Sequence, residues 1–371
     1  FVCRERRATS TAALCPRAFD SYEAAPKHVV ELFADGRLVG CVASAAALPL
    51  GAVGLVEGAA PSTEKRPRAP PARSPRARVA LEASSAAVST RCDGLDAVLR
   101  GGVRTRQLTE IVGESGSAKT ILCCQLVLAA QIDLGCAVVY VHTEGPAPTP
   151  ILRRVASSKR MAAAFGSEEA ARGALERVYV VKALSDAESL RETLGSLSAV
   201  LAHPVDASAP VRMIVVDSVA APFRDDECGA SAGWSYAARR AGALHKLTML
   251  LKEYASVHDL AVVVTNHVVD SMRERGLGGD DENATRSMGE FTSSGRRVVP
   301  ALGLMWANCV NTRLFLTRHA KRRTNGVNDE GDDTDGAAFN SVARRFHVVY
   351  APHLPAASAD FRIAADGVWD D

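Results

Sequence analysis

Between Leu108 and Leu128 the chain reads LTEIVGESGSAKTILCCQLVL, which brings an ammonium, a hydroxyl and a glycine-bearing turn within a few residues of one another. Binding a phosphate chain requires several backbone N–H groups aimed at one point, at the positive end of a helix. The stretch has that form: an apolar strand through Ile111 and Val112, a turn of Gly113, Glu114, Ser115, Gly116, Ser117 and Ala118, then Lys119 and Thr120 opening an apolar helix. Lys119 can reach β- and γ-phosphates, and the Thr120 hydroxyl can hold Mg²⁺. The pattern Gly-x4-Gly-Lys-Thr is met except at Ala118, where the second glycine belongs. The competing reading is an ordinary strand–turn–helix that happens to contain Lys-Thr, and Ala118 is its best argument.

Two acids stand at the ends of apolar strands. Asp217 closes Met213-Ile-Val-Val-Asp217, about 100 residues beyond the phosphate loop, the form of a Walker B carboxylate that holds Mg²⁺. Glu144 follows Tyr140-Val-His-Thr, where a carboxylate can orient the water that attacks a γ-phosphate. The alternative for Glu144 is a solvated loop acid. A third strand ends in Thr265-Asn266-His267, and Asn266 and His267 are candidates for sensing the γ-phosphate.

The segment that follows, Val268 to Leu302, carries five glycines and the arginines Arg273, Arg275, Arg286, Arg296 and Arg297. Guanidinium groups suit the phosphate backbone of nucleic acid. Glu274, Asp280, Asp281, Glu282 and Glu290 nearly cancel their charge, so DNA contact and a plain mobile loop are equally compatible with the composition.

The elements that must position these residues alternate. Val138–Val141, Val178–Val181, Met213–Val216 and Leu260–Thr265 read as strands, separated by helical patterns at 151–165, 186–201 and 235–258. Unbroken apolar strands between helices predict an α/β fold with a mainly parallel sheet covered on both faces, and a site at the carboxyl ends of the strands. Arg313–Thr317, Arg345–Tyr350 and Phe361–Ala364 have few helices between them and predict antiparallel strands on one sheet edge. A short helix ending at Gly101-Gly102 is expected before the phosphate-loop strand.

Composition bounds the rest. The 371 residues carry a net charge of +2, so any affinity for nucleic acid must come from local patches. Nine scattered cysteines without metal-binding spacing are expected to be reduced and buried. Leu38–Val56 is uncharged and nearly long enough to span a bilayer, but it is rich in Ala, Gly and Ser and interrupted by Pro49. No membrane association is expected. The Arg-rich first twenty residues have the look of an organelle transit peptide except for Glu5 and Asp20. Residues 1–60 give one helical hint, Pro26–Phe33, and are expected to be poorly ordered. Residues 61–89, Pro- and Arg-rich from Pro61 to Arg78, read as a linker, and 90–371 as the core.

Taken in order, GESGSAKT, YVHTEG, MIVVDSVAAPFR, VVVTNHVV, NTRLFLTR and FRIAADGVWD resemble the RecA/RadA class of recombinases in its eukaryotic form. VDSVAAPFR, VPALGLMWAN and APHLP resemble the X-ray-repair cross-complementing paralogues within it. The resemblance spans 90–371. It implies a RecA-like ATPase core that binds ATP and Mg²⁺, with Lys119, Thr120 and Asp217 on phosphates and metal and Glu144 as the catalytic glutamate. It also implies two DNA-facing loops, one at about 223–240 that ends at Arg239 and Arg240, the other after Asn266. Departures from the main recombinase are His267 for a Gln, Asn308 for a His, Pro148 for an adenine-packing Arg, and Ala230 for an Arg beside Asp225, Asp226 and Glu227. No Phe-x-x-Ala tether precedes the core.

These departures weaken autonomous strand exchange. The expected function is an ATP-binding recombination-mediator subunit of homologous-recombination double-strand-break repair in the nucleus. It would act with another recombinase paralogue to support the main strand-exchange recombinase on single-stranded or branched DNA, with weak DNA-dependent ATPase turnover. The alternatives are a catalytically weak scaffold in the same kind of complex and another RecA-like ATPase.

Overall fold

A computed structural model describes residues 85–183, 186–224, 233–271, 289–320 and 342–370, together with the backbone of three earlier strands. Those strands are β1 (Val2–Arg7), β2 (His28–Ala34) and β3 (Arg37–Ser44). The helix expected at Pro26–Phe33 is therefore a strand over most of its length. Its Val-Val-Glu-Leu-Phe run suits a strand's two-residue period as well as a helical turn. The Pro/Arg-rich stretch Pro61–Arg78 lies outside the described residues.

The core begins with β4 (Ala87–Val88), α1 (Asp93–Leu99) and β5 (Val103–Arg104). The left-handed stop after α1 starts one residue before the glycines, at Arg100 (φ 51°). Next come β6 (Gln107–Gly113), α2 (Lys119–Leu134) and β7 (Ala137–His142). The helical run after β7 divides into α3 (Thr149–Ala156) and α4 (Lys159–Phe165), followed by α5 (Glu168–Gly173). It divides because the Ser158 hydroxyl accepts from the Met161 N–H and starts a new helix. Then follow β8 (Val178–Lys182), α6 (Ala187–Ala202), β9 (Val211–Asp217), α7 (Gly233–Val257) and β10 (Ala261–Asn266).

The region read as one long loop is ordered at both ends. Strands β11 (Val268–Asp270), β12 (Phe291–Ser293) and β13 (Arg296–Pro300) form a small antiparallel sheet, followed by α8 (Gly303–Ala307), which packs on α7. Val298, Phe291 and Phe315 give this sheet its own buried cluster, which the glycine and charge content of the sequence obscured. The chain closes with β14 (Thr312–Ala320), β15 (Val342–Tyr350), β16 (Ala357–Ala364) and β17 (Gly367–Asp370).

The main sheet runs β1-β2-β3-β8-β7-β9-β10-β6-β14-β15-β16-β17. The six strands from β8 to β14 are mutually parallel. Those outside them are antiparallel on both sides. Because successive strand residues point to opposite faces, Met213 and Val215 join a core under α2 to α4. Ile214 and Val216 join a second core under α6 and α7. Burial on both faces explains the unbroken apolar strands of the sequence.

Two long-range polar contacts fix the C-terminal strands to the start of the core. Gln125 on α2 donates to the Val368 carbonyl at 3.0 Å and accepts from its N–H at 2.8 Å. The Asp370 carboxylate accepts from the Gly94 N–H at 2.7 Å. Among the described residues, no helix is long and apolar enough to cross a membrane. Cys92, Cys123, Cys124 and Cys136 are buried free thiols.

Candidate nucleotide and nucleic-acid site

All the strand-end candidates collect at one edge of the sheet, because β6, β7, β9 and β10 run parallel and side by side. The turn after β6 is tight. A Cβ on Gly113 would overlap Ser117 Oγ and approach the Leu316 carbonyl to 2.9 Å. Gly116 and Ala118 both hold left-handed backbone, with φ of +73° and +91°. Ala118 therefore occupies a conformation that favours glycine, as its place in the motif predicts. At the mouth of α2 the buried Lys119 Nζ donates to the carbonyls of Gly113 and Glu114 at 2.7 and 2.9 Å. Burial pushes the Lys119 pKa down, while the charges of Asp217, Glu144 and Glu114 oppose the shift.

Asp217 is held by three hydroxyls. Its Oδ2 accepts from Thr120 Oγ1 and Tyr140 OH, each at 2.7 Å, and its Oδ1 from Thr265 Oγ1 at 2.5 Å. Burial and the Asp217 charge push the Tyr140 hydroxyl well above its usual range, which keeps it a donor. A fixed carboxylate beside a threonine hydroxyl is a hard oxygen donor set suited to Mg²⁺. The left-handed turn, the crowded Gly113 and the central ammonium suit a triphosphate. Together these residues fit a Mg²⁺–nucleotide pair.

Glu144 faces the same cleft. Its Oε2 accepts from His267 Nε2 at 2.9 Å, and its Oε1 pairs with Arg224 Nη2 at 2.8 Å. The His267 hydrogen bond is the largest influence on this carboxyl; with the Arg224 charge it outweighs burial and holds the pKa below the ordinary range. Ser218 Oγ lies 3.0 Å from the same His267 nitrogen. His267 thus links Glu144 to the end of β9.

Asn266, the other sensing candidate, is turned away. Its Nδ2 donates to Glu110 Oε1 at 2.6 Å in the core, where Glu110 also accepts from Trp306 Nε1 and Arg313 Nε. Neighbouring residues at a strand end face opposite ways, so the structure separates the pair. Glu114 is also diverted. Its Oε1 accepts from Ser293 Oγ and Ser294 Oγ, each at 2.6 Å, outside the nucleotide cleft.

Two clefts meet here. One, of about 330 Å³, is lined by Ser115, Gly116 and Ala118 to Ile121 of the phosphate loop and by Glu144, Asp217, His267 and Ile363. Pro148, which caps α3, does not line it. The other, of about 340 Å³, has an apolar floor of Phe223, Val269 and Leu302 and carries Arg224, Arg240 and Arg296. Ser115 and His267 line both. Guanidiniums suit a phosphate backbone, but Arg224 is paired with Glu144 and Arg296 with Glu114 and Asp270, so a phosphate here would compete with those carboxylates. Arg239 is exposed on α7, and Arg297 is exposed on β13. Arg273, Arg275 and the acidic run from Asp225 to Glu227 lie outside the described residues.

The Rad51 family profile matches residues 83–292, more than half of the chain. The chain belongs to the Rad51 family. It is 34% identical over 292 residues to the DNA repair protein XRCC3 homolog of Arabidopsis thaliana, covering 76% of this chain and 92% of that protein. It is 30% identical to the DNA repair protein XRCC3 of Bos taurus, covering 76% and 74%. It is also 30% identical to the DNA repair protein rhp57 of Schizosaccharomyces pombe, covering 74% and 77%. The family carries the RecA-like fold seen here, a parallel core with antiparallel C-terminal strands.

Sequence reasoning missed several groups of this Rad51-family site. Tyr140 reads from the sequence only as a strand residue, and Thr265 only as part of a polar strand end, with no hint that both donate to Asp217. Arg224 ends the quoted VDSVAAPFR but had no role until the fold set it against Glu144. Arg318 Nη1 donates to the Ser115 carbonyl at 3.0 Å, a contact across 203 positions that nothing local announces.

Proposed function

We propose that this Rad51-family protein is an ATP-binding recombination-mediator subunit of homologous-recombination double-strand-break repair. In this reading it acts in the nucleus with another recombinase paralogue and supports the strand-exchange recombinase on DNA. The observation that carries it is the adjacency of the two clefts, one lined by the glycine-bearing loop before Lys119 and the other by arginines, with Ser115 and His267 lining both. The DNA-repair names of the relatives agree with it.

In this reading Gly113 and Ser115 to Thr120 hold the phosphates of ATP, and Thr120 with Asp217 holds Mg²⁺. The metal, when bound, neutralises charge on the β- and γ-phosphates. Glu144 orients a water but is a weak base, because His267 and Arg224 already occupy both of its oxygens. Turnover is accordingly slow. Arg240 and Arg296 contact the backbone of single-stranded DNA, with Arg239 and Arg297 at the rim of that surface. The scaffold alternative draws on Ala118, whose φ of +91° is a strained conformation that glycine would adopt freely.

The test is purification of the tagged chain from its own cells, nuclease treatment, and mass spectrometry of what stays bound. Recovery of a second Rad51-family paralogue, more of it with ATP than without, is expected. Recovery of none overturns the mediator reading, and recovery independent of nucleotide favours the scaffold.

A further inference from the structure

Glu114 is part of the phosphate-loop motif, yet its carboxylate leaves the nucleotide cleft and is 8% exposed. It accepts from Ser293 Oγ and Ser294 Oγ at 2.6 Å each, and Arg296 Nη2 lies 3.5 Å from its other oxygen. These three residues belong to one hairpin, the turn from β12 into β13, and Arg296 lines the arginine-bearing cleft. The same hairpin is joined to the end of β14. Arg318 N donates to Ser293 Oγ at 2.9 Å, and Ser294 N donates to the Arg318 carbonyl at 2.7 Å. Arg318 in turn donates to the Ser115 carbonyl at 3.0 Å. Of two consecutive phosphate-loop residues, Glu114 is thus fastened to the hairpin directly and Ser115 to Arg318 of β14, which itself bonds the hairpin.

Arg296 is shared. Its Nη1 pairs with Asp270 Oδ1 at 3.0 Å while its Nη2 faces Glu114. A phosphate bound to this guanidinium competes with both carboxylates and changes the charge balance around Glu114. A triphosphate in the loop changes the same balance from the other side. Any such effect is reciprocal, since each ligand must alter the other's affinity by the same factor.

We infer that Glu114, held by Ser293 and Ser294, is the positioning residue through which single-stranded nucleic acid on the hairpin and nucleoside triphosphate in the phosphate loop alter each other's binding. This inference rests on the two-ligand reading proposed above. It assigns the coupling to the returning strand of the segment, away from the sensing position at His267.

The experiment measures a fluorescent ATP analogue with Mg²⁺, and a fluorescein-labelled oligo-dT, each with and without the other, on the full chain. The parent protein is expected to show a coupling factor of about fivefold or more. The Ser293→Ala/Ser294→Ala pair should keep both separate affinities within about threefold and bring the coupling factor to within about twofold of one. Glu114→Ala should do the same to the coupling factor. Loss of the coupling with both separate affinities retained is the pattern that mere loosening of the fold would not produce. Coupling that persists in the serine pair and in Glu114→Ala overturns the inference. So does a parent protein that binds both ligands independently, and in that case the two-ligand reading stands. Failure of the parent to bind either ligand removes the reading and the inference together.

Discussion

Thr120 Oγ1 donates to Asp217 Oδ2 at 2.7 Å, joining the first turn of the helix after the phosphate loop to the acid that ends β9. Tyr140 donates to the same oxygen from β7. Groups that orient a metal's ligands typically matter about tenfold or more in metal affinity. Tyr140→Phe should therefore weaken the Mg²⁺ dependence of ATP binding by roughly tenfold, and Asp217→Asn by more. A Mg²⁺ titration of fluorescent-ATP binding checks both. An unchanged midpoint in both variants would remove Asp217 from the metal site.

Ala118 is the backbone's weak point. Its φ of +91° strains an L-residue by about 1 kcal/mol relative to glycine, which corresponds to several-fold in affinity if the strain is felt in the bound state. Ala118→Gly should tighten ATP binding by about fivefold, whereas Lys119→Ala should abolish it. Nucleotide titration with thermal shift on the three proteins decides. If glycine changes nothing, the turn already meets the geometric demand through Gly116.

The arginine-lined cleft predicts a salt-dependent phenotype. Reversing Arg240 and Arg296 to Glu should weaken oligo-dT binding and lower the slope of log affinity against log salt by about 1.4, from about 0.7 for each lost single-strand phosphate contact. Anisotropy titrations at several salt concentrations supply the slope. Tight binding with an unaltered slope would mean that another surface carries the DNA.

His142 should make the fold acid-sensitive. Burial, helped by the Lys182 charge, pushes its pKa down to about 4 from 6.5. Between those values the unfolded chain binds the proton and the folded chain does not, so stability falls as pH drops through that window. By pH 5.5 the loss is on the order of 1 kcal/mol. Denaturation at pH 7.5 and 5.5 should show a smaller difference for His142→Asn than for the parent. An equal difference in both would assign the acid sensitivity elsewhere.

The domain boundary yields a further expectation. Among the described residues, the ladder between strand β3 and the parallel core is short, pairing Ala43 with Val180 and Ser44 with Tyr179. Deleting residues 1–80 should leave a core that melts cooperatively and retains nucleotide binding. Loss of solubility or cooperativity on deletion would show that the early strands are integral to the sheet.

Much of this organisation was legible without coordinates, and for a local reason. A phosphate loop, a two-face-buried strand and an acid at a strand's end are contiguous patterns, so Gly113–Thr120, Met213–Asp217 and the alternating architecture could be read directly. The helical hint at Pro26–Phe33 misled because a short apolar run satisfies both periods. The long loop misled because its ordered ends owe their packing to Phe315 on a strand that comes later in the chain.

By itself the sequence determined the chemistry available: which residues can cradle phosphate, hold a metal or carry positive charge, and in what order the strands bring them. It also determined the strain at Ala118, because the turn that the motif requires has positive φ whatever surrounds it. Only the tertiary structure decided where side chains on one strand end turn. It sent His267 to Glu144 and Asn266 to Glu110, and it drew Glu114 out of the nucleotide cleft to Ser293 and Ser294. The physical reason is that a polar side chain beside a buried sheet edge takes whichever partner spares it an unsatisfied hydrogen bond. Those partners lie 123 to 180 positions away along the chain, where no local pattern records them.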